Sequence, residues 1–200
     1  MLWSQKERRF LMKLVIGSDI HGAASWCEKF MDALDEVQPD RVILLGDLLY
    51  HGPRNEVPQD YAPKQVIAQL NSIADQVIAV RGNCEAEVDQ MVLNFPCMDD
   101  YNVLWDPDAD NEATHTKGIE LFLTHGHVWG AGIHNSIDHM PTLPKGAALV
   151  YGHTHKKVNM MADRYPMIRC FNPGSIGIPK DGTHSFGIYE NGIFSFRELQ

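Results

Sequence analysis

Thiols, basic charge and long apolar runs are all scarce in this sequence. Its four cysteines, Cys27, Cys84, Cys97 and Cys170, are scattered over 200 residues without CxxC spacing. That excludes a zinc knuckle and a thioredoxin-type redox pair, and reduced thiols in a cytosolic protein are expected. No apolar run approaches the ~18 residues of a membrane helix, and the first fourteen residues, with Lys6, Glu7, Arg8, Arg9 and Lys13, lack the apolar centre of a signal peptide. A cytoplasmic, non-membrane protein is therefore expected. Lys and Arg number 17 against 26 Asp and Glu, a formal charge of -9. A long nucleic acid is not an expected partner, because binding a polyanion relies on a basic face. Bound cations would, however, reverse the sign locally.

The composition that remains, 44% hydrophobic and 22% charged, is that of a soluble globular protein. A chain of this length can bury roughly 70% of its unfolded surface within one domain. Residues 1–12, charged and ending at a second methionine, Met12, read as an N-terminal tail or upstream extension. Residues 13–200 read as a single domain.

Lys13 to Ser18 is a short apolar run ended by Asp19, and Trp26 to Val37 places Trp26, Phe30, Ala33, Leu34 and Val37 at helical spacing. Arg41 to Leu45 is a continuous apolar strand of the kind buried on both faces, ending at Gly46-Asp47. Breakers fill Tyr50 to Pro63, so a long loop is expected there. Lys64 to Ala74 reads as a helix opened by Pro63, and Gln76 to Val80 as a third strand. The first half is thus βαβαβ, which requires parallel pairing. Asp99 to Gly118 is polar and acidic and reads as surface loops before the strand Ile119 to Thr124. Further strands are expected at Ala147 to Tyr151, Met167 to Phe171 and Ser185 to Glu190, the last closed by an Asn191-Gly192 hairpin turn. The pattern predicts two sheets, mostly parallel in the first half and more antiparallel in the second.

Five short blocks then stand out, each after a strand: Asp19-Ile20-His21, Gly46-Asp47, Gly82-Asn83, His125-Gly126-His127 and Gly152-His153-Thr154-His155. In open α/β sheets such strand-end residues gather in one crevice. Each block has an ordinary reading by itself: a capping Asp with a surface His, a turn Asp, a turn Asn, or core histidines. Their co-occurrence argues for a metal-binding centre instead.

In order and spacing these blocks resemble the calcineurin-like metallophosphoesterase superfamily, whose signature runs DxH, GD, GN[H/C], GH and GHxH. Here they read SDIHG, LLGDLLYHGPRN, VRGNCEAEVDQ, LTHGHVWG and VYGHTHKKV. With FNPGS at 171–175 they are most similar to the small bacterial YfcE-type phosphodiesterase branch. The resemblance implies an α/β fold of two stacked mixed β-sheets flanked by helices, a four-layer αββα sandwich. It implies that Asp19, His21 and His155 hold one metal, that Asn83, His125 and His153 hold a second, and that Asp47 bridges them with its several lone pairs. Mixed N/O ligands suit Mn²⁺, Fe, Zn²⁺ or Ni²⁺ better than Ca²⁺, and Mn²⁺ is the ion expected on family grounds. The implied reaction is attack on phosphorus by a hydroxide bridging two cations roughly 3.5–4 Å apart.

Several neighbours are candidates with open alternatives. His127 could donate to phosphate, order a water or only pack. Cys84 stands where many members of the superfamily have His. A thiol of pKa ~8.5 is a poorer proton donor to a leaving alkoxide than imidazolium, so good leaving groups should react best. It could equally be a small packing residue. His51 and Arg54 follow Asp47 closely, and Arg54 could reach a phosphate bidentately. Arg81 precedes Asn83, and Ser175 is a weaker candidate for phosphate contact. A solvated loop arginine and a structural ion pair are the competing readings for Arg54 and Arg81.

The expected function is a dinuclear phosphodiesterase acting on a small phosphodiester. The alternatives are a phosphomonoesterase or nucleotide hydrolase on the same centre, or a binding scaffold like the retromer subunit of this superfamily. A small phosphodiester is the expected partner, with a homo-oligomer left open.

Overall fold

The computed structural model describes residues 12–200. The tail expected over 1–12 lies, apart from Met12, outside the described residues. Along the chain, β1 (Lys13–Gly17) leads through α1 (Ala24–Val37) to β2 (Arg41–Leu44), and α2 (Pro63–Asn71) with a short 3-10 turn leads to β3 (Val77–Ala79). A short α3 (Glu87–Val92) precedes β4 (Tyr101–Asn111) and β5 (Thr116–Thr124). The small strands β6 (Gly130–Ala131) and β7 (Asp138–His139) follow, then β8 (Ala148–Val150), β9 (Lys157–Ala162), β10 (Tyr165–Pro173), β11 (Ser185–Glu190) and β12 (Ile193–Glu198).

One five-stranded sheet has the order β12-β11-β1-β2-β3 and the other β4-β5-β8-β10-β9. Each has three parallel strands with antiparallel neighbours. β1, β2 and β3 pair in parallel, with β11 and β12 antiparallel beside them. β5, β8 and β10 pair in parallel between β4 and β9. The second half is the more antiparallel of the two, as expected from sequence, although its central strands β5, β8 and β10 run parallel.

Strand alternation builds the layers. Leu14, Ile16 and Ile43 of the first sheet pack with Leu121, Leu123, Val150 and Phe171 of the second in one buried cluster between the sheets. Val15, Val42 and Leu44 face the other way and pack with Cys27, Phe30 and Leu34 of α1 and Val66 and Leu70 of α2. α1 stops where Gln38 turns left-handed (φ 52°) and its N–H bonds Leu34 O, just before Pro39. The outer face of the second sheet, with Phe122, Leu149, Tyr151 and Cys170, is covered by Trp129, Ile133, Met140 and Leu143. Those residues belong to the β6–β7 region, so among the described residues loops and one 3-10 turn (Ile133–Asn135), with no α-helix, form that layer.

The polar stretch expected to be loops, 99–118, instead contains β4, paired along its length with β5. β4 is an edge strand whose register shifts between Asp106 and Asp110, around Pro107. Most of its side chains are at least partly exposed, so no buried face disciplines its composition. β9, another edge strand, was likewise not expected. The Asn191-Gly192 turn does close β11 on β12, with Glu190 opposite Ile193 and both turn residues at positive φ, as a type I′ turn requires.

Candidate metal centre

Each of the five blocks leaves the carboxyl end of a strand: Asp19 and His21 after β1, Asp47 after β2, Asn83 after β3, His125 after β5, and His153 and His155 after β8. The structure brings all seven side chains together where the two sheets meet. Five of them, Asp19, His21, Asp47, His153 and His155, have left-handed backbones with φ between 51° and 68°. Such conformations cost non-glycine residues about 1 kcal/mol or more each and concentrate at functional sites. Two glycines admit the close approach that the site needs. A Cβ on Gly82 would collide with Asp47 Oδ1, and one on Gly152 with Ser18 Oγ.

Three of the imidazoles are latched in one tautomer. Nδ1 of His21 donates to Tyr50 O (2.7 Å), Nδ1 of His125 to Leu45 O (2.7 Å) and Nδ1 of His155 to Ile178 O (2.6 Å). A carbonyl only accepts, so Nδ1 carries a proton and, in the neutral or metal-bound ring, Nε2 presents a lone pair inwards. The Nε2 atoms of His21 and His155 nevertheless lie 3.3 Å apart. In the neutral state these are two lone pairs facing each other, an arrangement that a cation between them resolves. Asp19 Oδ1 joins the group at 3.2 Å from His155 Nε2 and 3.6 Å from His21 Nε2, and it is buried without a hydrogen-bond partner. Its other oxygen accepts from Ser18 Oγ (2.6 Å) and His153 N (3.0 Å), so only Oδ1 is left for a ligand.

A second group surrounds His125 Nε2, with Asn83 Oδ1 at 3.2 Å, His153 Nδ1 at 3.2 Å and Asp47 Oδ2 at 3.4 Å. Asp47 Oδ2 is also 3.6 Å from His21 Nε2. Asp19, His21 and His155 offer ligand atoms all within 4.8 Å of one another, as do Asp19, Asp47 and His125. Orphaned oxygen, converging lone pairs and a mixed N/O donor set all fit divalent cations.

Electrostatics follow from this crowding. Burial works against charge on Asp19 and Asp47, but the neighbouring histidines outweigh it. Asp19 is held well below the usual carboxylate range, chiefly by His155, and Asp47 falls to about 2, chiefly through His125. Burial likewise opposes charge on His125, yet Asp47 and Asp19 raise it to about 10. His127 and His153, desolvated and beside His125, fall to about 4.

One functional residue escaped the sequence reading. Glu85 accepts three backbone N–H bonds, from Gly82 (2.5 Å) and Asp47 (2.9 Å) on Oε2 and from Leu48 (2.7 Å) on Oε1. It thereby ties the turn carrying Asn83 to the turn carrying Asp47. Burial and the nearby Asp47 push its carboxyl up. Its position two residues after Asn83 was the only signal available.

The remaining candidates divide. Cys84 N donates to Asp47 Oδ1 (2.9 Å), and its sulfur lies in a group with His21 and Asp47. Burial and Asp47 push the thiol far up, so it stays protonated. A cleft of roughly 330 Å³ opens over Asp47, Asn83, Cys84, His153 and His155, and Arg54 lines it. His51 packs edge-on against Tyr50 and Tyr61 and is not among the lining residues. His127 stands edge-on to His125 (5.3 Å between ring centres) with Nδ1 unpartnered, and it too is outside the cleft lining. Arg81 is engaged by Asp100 (2.5 Å), so the structural ion pair describes it better than substrate contact. Ser175 is fully buried, donating to Asp19 O (2.8 Å) and accepting from Ile178 N (2.8 Å). A phosphate cannot reach it, and its work is to hold the Asp19 turn.

Stacked mixed sheets with histidines and carboxylates converging at the ends of their parallel strands are the architecture of a metallophosphoesterase, and the chain belongs to the calcineurin-like phosphoesterase superfamily, whose domain profile matches residues 12–191. It is 41% identical over 186 residues to phosphodiesterase YfcE of Escherichia coli K12, an alignment covering 92% of this chain and 91% of that one. The solved structure of YfcE, described as a phosphoesterase from E. coli, superposes with a TM-score of 0.80 at 36% identity, covering 94% of this chain and 100% of that one. A metallophosphoesterase from Sphaerobacter thermophilus shares the fold at a TM-score of 0.59 and 19% identity, over 94% of this chain and 89% of that one. No described helix is long and apolar enough to cross a membrane.

Proposed function

We propose that this chain is a metal-dependent phosphodiesterase hydrolysing small phosphodiesters at the strand-end centre. The observation that carries the reading is the position of Asp47 Oδ2, between His21 Nε2 at 3.6 Å and His125 Nε2 at 3.4 Å. One carboxylate oxygen between two groups of inward lone pairs suits a bridge between two cations. Asp19, His21 and His155 would hold one of them and Asn83, His125 and His153 the other. The likeness to phosphodiesterase YfcE supports diesters as the substrate class.

When bound, two divalent cations supply Lewis-acid charge for the phosphoryl oxygens and lower the pKa of an attacking water. The chain's own residues do the rest. The Nδ1–H latches to Tyr50, Leu45 and Ile178 fix the imidazoles, so the ligand cage needs little reorganisation. Glu85 sets the spacing of the Asp47 and Asn83 turns. The protonated Cys84 thiol can offer a leaving oxygen a weak hydrogen bond but gives up its proton reluctantly, which favours substrates with good leaving groups. Arg54, which lines the cleft, is proposed to meet a substrate phosphate or its flanking group.

Manganese is the proposed ion, with Fe, Zn²⁺ and Ni²⁺ as the competitors that the donor set accepts. Residues 13–200 are proposed to act as one domain in the cytoplasm, alone or in a homo-oligomer. The test is a panel of aryl monoesters, aryl diesters and cyclic nucleotides on protein reconstituted with each metal. Diesters should be turned over fastest, and Asp47→Ala should abolish turnover and weaken binding of both metals. Preference for monoesters would make the chain a phosphomonoesterase, and no turnover with any metal would favour the scaffold reading.

A further inference from the structure

The cleft above the metal centre is lined by three cations from three different loops: Arg54 after β2, Lys156 directly after His155, and Lys180 between β10 and β11. Lys180 is fixed beside the site by its backbone N–H, which bonds His155 O (2.9 Å). Asp47, at the metal centre, is the one acidic residue in the lining.

Elsewhere Lys13 pairs with Glu190, Arg81 with Asp100, Lys117 with Asp110, Arg164 with Asp138 and Arg197 with Glu36. The other described cations without an ion pair, Lys29, Arg41, Lys64, Lys145 and Arg169, each stand on a different element or loop. At the cleft three unpaired cations line one opening. The side chains of Arg54, Lys156 and Lys180 have no ion-pair or hydrogen-bond partner among the described residues. Asp181, next in sequence to Lys180, is engaged by Lys157 instead (3.2 Å). In a chain of formal charge -9, three unpaired cations around one cleft call for an anion from outside.

The reacting phosphodiester does not supply it. Two carboxylates, Asp19 and Asp47, and an attacking hydroxide against two divalent cations would leave a net charge of about +1, which a monoanionic diester already balances. The lysines and the arginine therefore exceed what the reaction centre requires. Lysine and arginine together, on loops at the mouth, are suited to a phosphate held by point charge and by a planar fork.

We propose that the mouth of the cleft is a second anion subsite, and that the favoured substrates are phosphodiesters carrying a further phosphoryl group on the side that is not cleaved. The inference rests on the phosphodiesterase reading for its reaction but not for its binding test. Two chromogenic diesters separate the two: the p-nitrophenyl ester of thymidine 5′-phosphate, with and without a 3′-phosphate. Two or three exposed ion pairs of ordinary strength correspond to roughly a tenfold preference in kcat/KM for the 3′-phosphorylated compound. That ratio should fall to about threefold or less in the Lys156→Gln/Lys180→Gln variant. It should also collapse in about 0.5 M NaCl, where the Debye length is ~4 Å.

A ratio near one with the plain diester still hydrolysed would overturn the subsite and leave the proposed activity standing. If neither ester is cleaved, calorimetric binding of adenosine 3′,5′-bisphosphate and adenosine 5′-monophosphate to the manganese-loaded protein decides the matter. Tighter binding of the bisphosphate, lost in the double variant, supports the subsite. Equal affinities overturn it.

Discussion

Replacing Glu85 by alanine should do more damage to the metal-free protein than any other single change to a charged side chain near the site. The carboxylate receives three peptide N–H groups at 2.5, 2.7 and 2.9 Å, and alanine leaves all three without a partner. Hydrogen bonds to a charged acceptor contribute about 1.5–3 kcal/mol each, and partial water access at this half-buried position reduces the sum, so a loss of ~3–5 kcal/mol is expected. That is a large part of the 5–15 kcal/mol that ordinary domains possess. Glutamine is the informative comparison. With its carbonyl oxygen in the place of Oε2 it keeps the Gly82 and Asp47 bonds but turns an amide N–H towards Leu48 N–H, for a loss of ~1–3 kcal/mol. Urea unfolding in EDTA measures both. Because Glu85 joins the Asp47 and Asn83 turns, calorimetric titration with Mn²⁺ should also show weakened binding in both variants, more so in Glu85→Ala. Unfolding of Glu85→Ala within about 1 kcal/mol of the parent, with unchanged metal affinity, would refute the idea that this carboxylate fixes the centre.

The metal-free protein should be most stable near pH ~6.5, the unfolded pKa of histidine. His125, raised to about 10, contributes stability that is full below that pH and is lost as pH rises towards its folded value; His127 and His153, lowered to about 4, lose theirs as pH falls from ~6.5 to that value. Urea midpoints from pH 4 to 10 check this, and a midpoint that climbs steadily to pH 9 would contradict it; manganese should remove the alkaline decline by occupying the His125 lone pair. Cys84→His should speed hydrolysis of diesters with poor alkyl leaving groups relative to aryl ones, and an unchanged ratio would mean that position 84 takes no part in protonating the leaving oxygen. Ser175→Ala should cost about 1–3 kcal/mol in thermal or urea unfolding without altering the preference among substrates, whereas a shift in substrate KM at unchanged stability would return Ser175 to the cleft.

What the sequence revealed of the site follows from where information is concentrated. Each ligand block is short, polar and set directly after a run such as RVILL, so strand and ligand are read from the same few residues. Glu85 was invisible for the opposite reason: its partners are backbone N–H groups, which carry no signature in side-chain identity. Arg81 follows its ion-pair reading and Ser175 was misplaced, because a residue near a motif in sequence need not face the cleft, and Ser175 turns inwards to Asp19 O. In the fold, strands with a buried face announced themselves. Edge strands β4 and β9 did not, because most of their side chains are at least partly exposed, which in β4 admits Pro107, Asp108 and Asp110 without cost to a core. The second sheet's parallel centre was likewise hidden, since pairing partners far apart in sequence leave no local pattern.

The left-handed backbones at Asp19, His21, Asp47, His153 and His155 also bear on mutational tolerance. At these positions backbone shape and side-chain chemistry are selected separately. A library screened only for folding, with no metal present, should enrich Gly and Asn there and deplete Val, Ile and Thr, since β-branched residues fit that conformation worst. Positions 83 and 125, with ordinary backbones, should show no such bias in the same screen. The geometry that prepares the centre would then be readable as a preference for glycine at sites where glycine can do no chemistry.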